Sequence, residues 1–264
     1  PRGAFLSSGV DSSSIAALLR RQEELKTFTI GFDIPGYSEL DFARRTAAYL
    51  GTDHHEVEID GERYLDVLPR LIWHQDEPVA DPSAIALYFV AELASQYVTV
   101  VLSGEGADEF FGGYNIYREP ASLAGYQHLP QGLRTSLAKM AHTLPEGIKG
   151  RSFLLRRAQS VEERFFGNAH IFSEEMKEAV IASALKERVP YVDPWQVTAP
   201  IYERVATYDD ETKMQYLDIH TWLRGNILMK ADKMTMANSL ELRVPFIDLE
   251  VFKVASNIPT KYKL

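Results

Sequence analysis

The sequence predicts an α/β fold in which a mostly parallel sheet occupies the first part of the chain and a helical part follows. Short apolar runs alternate with amphipathic stretches from residue 2 to about 96, which is typical of repeated strand and helix units. After Tyr117 the strand signal disappears, and helical patterns separated by Pro and Gly dominate. We therefore expect one unit over 1–264, with an α/β core over 1–117 and a mainly helical part over 118–264.

The apolar runs give the predicted strands, and the amphipathic stretches give the predicted helices. The strands are predicted at 3–6, 26–32, 54–59 and 97–102. The helices are predicted at 12–21, 38–50, 62–73 and 82–95, and helical patterns return over 132–206 and 211–238. Ligands of open parallel sheets lie beyond the carboxyl ends of the strands. We therefore expect segments 7–12, 31–33 and 103–108 to meet at one rim.

The composition limits the class of protein. The 264 residues are 45% hydrophobic and 25% charged, which suits a folded protein with a sizeable core. The net charge is −9 without a dense run of Lys and Arg, so we expect neither nucleic acid nor a membrane as a partner. No apolar stretch approaches the roughly 20 residues of a membrane span, and no signal peptide is recognised, so we expect a cytoplasmic protein. The absence of Cys excludes a disulfide framework and a cysteine nucleophile within these residues.

The first motif is the turn Ser-Ser-Gly-Val-Asp-Ser at 7–12, between an apolar run and a helical pattern. Free amides and the positive dipole end at a helix start favour an anion, most naturally phosphate. Asp11 would repel a polyphosphate unless a divalent cation lies between them, which points to magnesium and a nucleotide. A serine-rich turn is also typical of a simple helix cap, which Asp11 or Ser12 would form here.

The second motif is the stretch 103–113, in which four glycines and three acids crowd together. Glycines let a ligand approach the backbone, and carboxylates can hold a metal or move a proton. Taken alone, a solvated surface loop explains this composition equally well. On the same rim as the turn at 7–12, the functional interpretation becomes the better one, with Asp11 and Asp108 sharing one Mg ion.

The third motif is a pair of lysines, Lys230 and Lys233, which a helix would place on one face. Such pairs usually decorate a solvated surface, and the Met residues around them are more often part of a core. The segment 74–78 and the run Asp81-Pro82-Ser83 are candidates for the wall of an acceptor pocket. An ordinary polar loop explains both at least as well.

These motifs, taken in order, resemble one family. The turn at 7–12 resembles the Ser-Gly-Gly-x-Asp-Ser pyrophosphate loop of the ATP pyrophosphatases. The segments 103–114 (SGEGADE, then GGY), 230–237 (KADKMTMA) and 240–248 (LELRVPFID) resemble the synthetase domain of glutamine-hydrolysing asparagine synthetases. The resemblance runs from Arg2 to the last residues. It implies a sheet of the adenine-nucleotide alpha hydrolase type, also called the PP-loop type.

The resemblance implies an ATP-dependent carbon–nitrogen ligase that converts aspartate to asparagine. Aspartate attacks the α-phosphorus of ATP to give an aspartyl-adenylate and pyrophosphate, and ammonia then displaces AMP. The implied ligands are ATP, Mg, aspartate and ammonia, and a homodimer is expected. The family also has an N-terminal glutaminase domain and a basic C-terminal segment that are not matched here. We therefore expect a piece of a longer protein, and the resemblance does not imply activity for the isolated piece.

The resemblance also implies a role for each matched residue. Glu105 matches the acid that assists the ammonia step. Lys233 matches the lysine that faces the α-phosphate, so it is expected to matter more for the chemical step than Lys230. Asp11 and Asp108 match the magnesium ligands. The residues implied to bind ATP and its pyrophosphate are Leu6, Ser7, Gly9, Asp11, Ser12, Ile30, Ser103 and Gly104.

Two other interpretations stay open at this point. One is a relative that activates another carboxylate, such as a β-lactam synthetase or a peptide-cyclising enzyme. Glu105 argues against the lactam branch, where the matching position is a tyrosine. The other is a nucleotide-binding module without turnover, because Ser8 replaces the middle glycine of the phosphate loop and a glycine there gives the backbone more freedom.

Overall fold

The computed structural model describes residues 1–7, 9–33, 38–77, 79, 81–127, 130–145, 148 and 151–264. Ser8 of the phosphate turn and Pro78 of the segment 74–78 lie outside the described residues. The chain divides into two compact units. Unit 1 comprises Pro1–Phe110 and Arg224–Asn257, and unit 2 comprises Phe111–Leu223 and Ile258–Leu264. This division differs from the expected 1–117 and 118–264, because residues 224–257 return to the first unit.

Strands and helices alternate in the first part of the chain, and helices dominate afterwards. The strands are β1 (Arg2–Phe5), β2 (Lys26–Phe32), β3 (Asp53–Ile59), β4 (Val100–Leu102) and β5 (Glu241–Arg243). The α-helices are α1 (Val10–Arg20), α2 (Leu40–Leu50), α3 (Gly61–Asp66), α4 (Leu68–Gln75), α5 (Ser83–Ser95), α6 (Ala107–Phe111), α7 (Glu119–Gln127), α8 (Gln131–His142), α9 (Arg151–Ala158), α10 (Val161–Arg164), α11 (Glu174–Val180), α12 (Ser183–Lys186), α13 (Pro194–Glu203), α14 (Asp210–Asp218), α15 (Leu228–Met236) and α16 (Leu249–Asn257). Short 3₁₀ helices occupy Asn115–Arg118, Pro245–Ile247 and Thr260–Tyr262, and a π-helix occupies Ile219–Ile227. Within the described ranges, none of the helices has both the length and the apolar character that crossing a membrane requires.

The five strands of unit 1 form one parallel sheet in the order β3-β2-β1-β4-β5. Strand β1 lies at the centre, where Gly3 is opposite Lys26 of β2 and Val101 of β4. The predicted α/β class with a mostly parallel sheet is therefore confirmed. The prediction that no strand follows Tyr117 is wrong, because β5 completes the sheet beside β4. Three residues are too few to show an alternating pattern.

Helices cover both faces of this sheet. Ala4 and Leu6 pack with Ile15 of α1 on one side. Phe5, between them in sequence, packs with Val90 of α5 on the other side. Successive side chains of a strand point to opposite faces, so a strand buried on both faces reads as a continuous apolar run. This is why the run at 3–6 carries no alternation.

Several helices begin or end away from their predicted positions. Helix α1 has Gly9 as its N-cap residue, so Asp11 and Ser12 lie in its first turn and do not cap it. The single helix predicted at 62–73 is two helices, α3 and α4, with Pro69 near the start of the second. Proline lacks a backbone N–H, which costs nothing in a first helical turn. The pattern predicted at 211–238 is α14, the π-helix and α15 in succession.

The core of unit 2 holds a buried carboxylate. Tyr117, Tyr202 and Met214 belong to its apolar cluster. The Tyr117 hydroxyl donates to Oδ2 of Asp218 at 2.8 Å, and the backbone and side-chain nitrogens of Asn168 donate to Oδ1 and Oδ2, both at 2.8 Å. Burial raises the pKa of Asp218 to about 6, although these three hydrogen bonds act to lower it. The hydrogen bonds therefore stabilise a charge that burial alone would exclude.

We expect Tyr117→Phe to destabilise the protein more at pH 8 than at pH 5. The lost donor serves the ionised carboxylate, which predominates above the pKa of about 6 and is largely protonated at pH 5. A hydrogen bond to a charged group contributes about 2 kcal/mol, so the urea midpoint at pH 8 should fall accordingly. Tyr208→Phe, at an exposed tyrosine of the same unit, is the control. An equal loss at both pH values would contradict the assignment.

Candidate active site

A cavity of about 330 Å³ lies in unit 1 beyond the carboxyl ends of β1 and β4. Because the two strands are parallel neighbours, the segments that follow them leave the sheet at the same edge. The cavity is lined by Phe5, Leu6, Ser7, Gly9, Asp11, Ser12, Phe28, Thr29, Ile30, Glu39, Ser83, Ala86, Leu87, Val90, Ser103, Gly104, Glu105, Asp108 and Lys230. Described residues of segments 7–12 and 103–108 therefore line one cavity, as predicted. From strand β2, Thr29 and Ile30 line the cavity, whereas residues 31–33 do not.

The turn after β1 is held by its own hydroxyl groups. The backbone N–H of Ser7 donates to Oγ of Ser12 at 3.1 Å, and the two hydroxyl oxygens lie 2.9 Å apart. The N–H of Gly9 donates to Oγ of Ser7 at 3.1 Å. Among the described residues, the N-cap position of α1 is Gly9, which has no side chain to cap the first-turn amides. An 11-residue helix with an uncapped start offers those amides and its dipole to an anion.

The two loops approach each other at Gly104. A Cβ atom built on Gly104 would lie 3.0 Å from Cβ of Asp11 and 3.3 Å from the backbone nitrogen of Ser12. Real Cβ atoms rarely sit so close to a neighbour, so a larger residue would push the loop after β4 away from α1. Glycine here sets the distance between the acidic loop and the phosphate turn.

Three carboxyl groups share this part of the cavity. Burial raises the pKa of Asp11, and it raises the pKa of Asp108 together with the negative charge of Asp11. Burial also raises the pKa of Glu105, which the charge of Lys230 partly offsets. Among the residues that the structure describes, no group of three or more His, Cys, Asp or Glu side chains could hold a metal by itself. The carboxylates of Asp11 and Asp108 nevertheless suit a cation whose remaining ligands come from a bound anion.

Apolar residues form the opposite part of the wall. Leu6, the residue after β1, is buried, and Ile30 lies on the neighbouring strand β2. Phe5, Phe28 and Val90 extend this apolar surface at the cavity. Such a surface suits the flat ring of a nucleobase, which is largely apolar on its faces. All of the predicted ATP-binding positions therefore line one cavity, while their individual roles stay predictions.

The structure places Lys230 in the lining of the cavity and Lys233 outside it. Lys233 does not line the cavity, because its Nζ pairs with Oδ2 of Asp76 at 2.7 Å, and the Asp76 side chain is 72% exposed. Lys230 lines the cavity instead, and its side chain is only 6% exposed. The role expected of Lys233 at the reacting phosphate therefore stays a prediction. A helix separates residues three apart by about 60° around its axis, so one face can still direct them to different partners.

Lys230 is held by the start of α5. Its Nζ donates to Oδ2 of Asp81 at 2.7 Å and to Oγ of Ser83 at 2.6 Å. Asn226 also donates to Oδ2 of Asp81, at 2.9 Å. Burial raises the pKa of Asp81, but the hydrogen bonds from Lys230, Asn226 and Ser83 outweigh it and lower the pKa to about 2. Asp81 therefore stays ionised, and Ser83 of the candidate run 81–83 does reach the cavity.

Sequence reasoning assigned no role in the site to three polar residues of the lining, Thr29, Glu39 and Lys230. Glu39 precedes α2 and lies in no motif. Lys230 does lie in a motif, but its spacing from Lys233 alone does not say which lysine is buried. The signal that separates them is the acid at 81, which can pair with Lys230 only once α5 and α15 pack together.

We expect Glu105→Gln to raise the melting temperature by about 2–4 °C at pH 8 and less at pH 5. A carboxyl group with a raised pKa keeps its proton longer in the folded state, so its ionisation opposes folding as pH rises. Glutamine carries no charge at either pH and removes that cost. Glu24→Gln, at an exposed acid, is the control in differential scanning fluorimetry. A gain that is larger at pH 5 would refute this assignment.

Comparison with known proteins supplies the family. The family model described as asparagine synthase matches residues 1–264. The asparagine synthetase [glutamine-hydrolyzing] 1 of Bacillus subtilis is 51% identical over 264 residues, covering 100% of this chain and 41% of that protein. A putative asparagine synthetase [glutamine-hydrolyzing] of Mycobacterium bovis is 50% identical, covering 99% of this chain and 40% of that protein. The chain thus spans about two fifths of the length of these curated relatives.

More distant similarities were also found. A protein named amidase chyE from Penicillium rubens is 28% identical and covers 100% of this chain. A solved chain, a predicted subunit of a tRNA methyltransferase from Methanocaldococcus jannaschii, covers 40% of this chain with 24% identity and a TM-score of 0.29, which is too weak to support a conclusion. The full-length family match and the identity of about half to two asparagine synthetases confirm the resemblance. The chain belongs to the asparagine synthase family.

Proposed function

We propose that this chain carries the ATP-dependent synthetase activity that converts aspartate to asparagine through an aspartyl-adenylate. The observation that carries the proposal is one cavity that joins a phosphate-type helix start, a pair of carboxylates and Glu105. The family membership supports asparagine as the product. The adenylate, AMP and pyrophosphate are part of the proposal.

The polyphosphate would lie at the start of α1. Its oxygens would accept hydrogen bonds from first-turn amides and from the hydroxyl groups of Ser7 and Ser12. Asp11 and Asp108 would hold a Mg ion that enters with ATP. A Mg ion held there would supply positive charge beside the pyrophosphate. The adenosine would lie on the apolar side, against Leu6 and Ile30, with Ser103 and Gly104 beside it.

The first step makes one bond and breaks one. An oxygen of the aspartate side-chain carboxylate bonds to the α-phosphorus, and the bond from that phosphorus to the bridging oxygen breaks, so pyrophosphate leaves with the electron pair. No proton is transferred in this step. The chain therefore contributes position and charge, which is how such transfers are generally accelerated.

The second step needs a proton acceptor. The nitrogen of ammonia bonds to the acyl carbon, the carbon–oxygen bond to AMP breaks, and the nitrogen must lose a proton. Glu105 lines the cavity, and burial raises its pKa, so its carboxylate binds a proton more readily than an exposed one. We assign it the role of proton acceptor.

The remaining partners follow from the relatives. The relatives named above are glutamine-hydrolysing enzymes of which this chain covers about two fifths. We infer that a glutaminase domain supplies the ammonia in the full-length protein, since these residues contain no Cys nucleophile. The cytoplasmic location and the homodimer stay predictions.

We expect aspartate to give the strongest stimulation in an assay that exchanges labelled pyrophosphate into ATP. Exchange requires reversible formation of an acyl-adenylate, so it reports the first step without ammonia. The twenty amino acids and a set of small dicarboxylates would be compared at equal concentration. A preference for another acid would favour an enzyme that activates a carboxylate other than aspartate. The similarity to a protein named an amidase is a reason to test this alternative. ATP binding without exchange for any acid would favour a binding module.

We expect Asp108→Asn to raise the Mg concentration for half-maximal exchange at least tenfold. The variant removes one of the two carboxylates assigned to the ion and keeps the size of the side chain. Asp66→Asn, at an exposed acid of α3, should leave the Mg dependence unchanged. An unchanged Mg dependence in Asp108→Asn would remove this residue from the proposed metal site.

A further inference from the structure

The charges around the cavity are strongly unequal. Asp11, Glu39, Glu105 and Asp108 contribute acidic groups, and within the described part of the chain Lys230 is the basic residue of the lining. In the proposed reaction both ATP and the acceptor are anions, so the acceptor approaches against like charge. A cation at Asp11 and Asp108 compensates the polyphosphate. The acceptor needs a positive group of its own.

Lys230 presents such a group in a fixed position. Its ammonium has three donors, and the described contacts use two of them, on Asp81 and Ser83. Both oxygens of Asp81 are already occupied, since Oδ1 accepts from the N–H and the hydroxyl of Ser83 at 3.0 and 2.7 Å and Oδ2 accepts from Asn226 at 2.9 Å. Asp81 is therefore tied into the start of α5, and it holds the lysine in place.

The ion pair points its positive end at the cavity. Lys230 lines the cavity, whereas Asp81 does not. A ligand there meets the ammonium first, with the carboxylate behind it. A charge that is already oriented needs little rearrangement to bind an anion, and partial burial strengthens the attraction.

The charged groups of the lining come from different elements. Asp11 lies in the first turn of α1 and Asp108 in α6, whereas Lys230 lies on α15 and contacts Asp81 and Ser83 at the start of α5. The polyphosphate belongs beside the carboxylates of Asp11 and Asp108. Lys230 is then the positive group that is left for the acceptor.

We infer that Lys230 binds a carboxylate group of the acceptor substrate, and that Asp81 and Ser83 position its ammonium group for this purpose. The inference rests on the proposed function, because it assigns a residue to the acceptor of that reaction. It extends the proposed site to α5 and α15 and defines the acceptor class as a small molecule with at least one anionic group beside the one that reacts.

The test compares kinetic constants of Lys230→Met with those of the unaltered protein in pyrophosphate exchange. We expect the KM for L-aspartate to rise about 10- to 100-fold, the loss typical of a hydrogen bond between charged groups, while the KM for ATP changes less than threefold. Lys230→Arg should recover part of the affinity. Lys213→Met is the matched control, because Lys213 is a partly buried lysine paired with Glu162 at 2.7 Å in unit 2.

A second variant separates ligand binding from folding. Lys230→Met leaves Asp81 without its ion-pair partner, which destabilises a protein when the charge is buried. Lys230→Met/Asp81→Asn removes both charges and should restore the melting temperature. If Lys230 only holds the fold, the double variant also restores the KM for aspartate, and the inference is overturned. If Lys230 binds the acceptor, the KM stays high.

The same experiment distinguishes the two proposals. If the unaltered protein responds to aspartate and Lys230→Met keeps its KM, the proposed function stands and the role of Lys230 fails. If the protein responds to a different dicarboxylic acid, the aspartate assignment fails, and a raised KM for that acid still supports Lys230. If the protein shows no exchange activity, binding is measured by calorimetry with a non-hydrolysable ATP analogue present. Aspartate or another dicarboxylate should then bind the unaltered protein and not Lys230→Met. No binding to either would overturn the inference.

Discussion

The contact between Gly104 and the first turn of α1 determines how the site is built. A methyl group at residue 104 would meet Asp11 and the backbone of Ser12 at 3.0 and 3.3 Å, so the two loops can approach only because the side chain is a hydrogen. Parallel pairing of β1 with β4 brings the loops to the same edge, and the glycine sets how near they come. The carboxylates of Asp11 and Asp108 then line one cavity, where the proposed function assigns them a cation.

Most of the fold, and one side of the site, can be predicted from the sequence because local patterns encode them. Strand β2 occupies 26–32 as its apolar run indicates, and the family resemblance gives the residues of both loops. Strand β5 is not predictable in this way, because three residues carry no periodicity and its position depends on β4. The acceptor side depends on which lysine of a helical pair meets an acid, and Asp76 and Asp81 are both more than a hundred residues away. Such pairings arise from packing and leave no local pattern.

The site combines two ways of handling negative charge. Near α1, burial and the charge of Asp11 both raise the pKa of Asp108, and a cation there would offset this cost. Near α5, Asp81 has a low pKa and pairs with Lys230. Its negative charge therefore positions the lysine and does not face the cavity. Burial raises the pKa of Glu105, and the charges of Lys230 and Asp108 act on it in opposite directions. A proton acceptor with such neighbours responds to the charge of the ligands that occupy the cavity.

The discontinuity of unit 1 has a consequence for biosynthesis. Its sheet needs β5, which lies about 140 residues after β4 along the chain, and the whole of 111–223 is synthesised in between. On a ribosome, β4 therefore emerges with one side unpaired and stays so for roughly ten seconds or more at ordinary elongation rates. An unpaired strand edge is a template for pairing with other chains. Nascent chains paused within 111–223 therefore expose an edge of β4 that the folded protein covers, and the lysine that lines the cavity is not yet made.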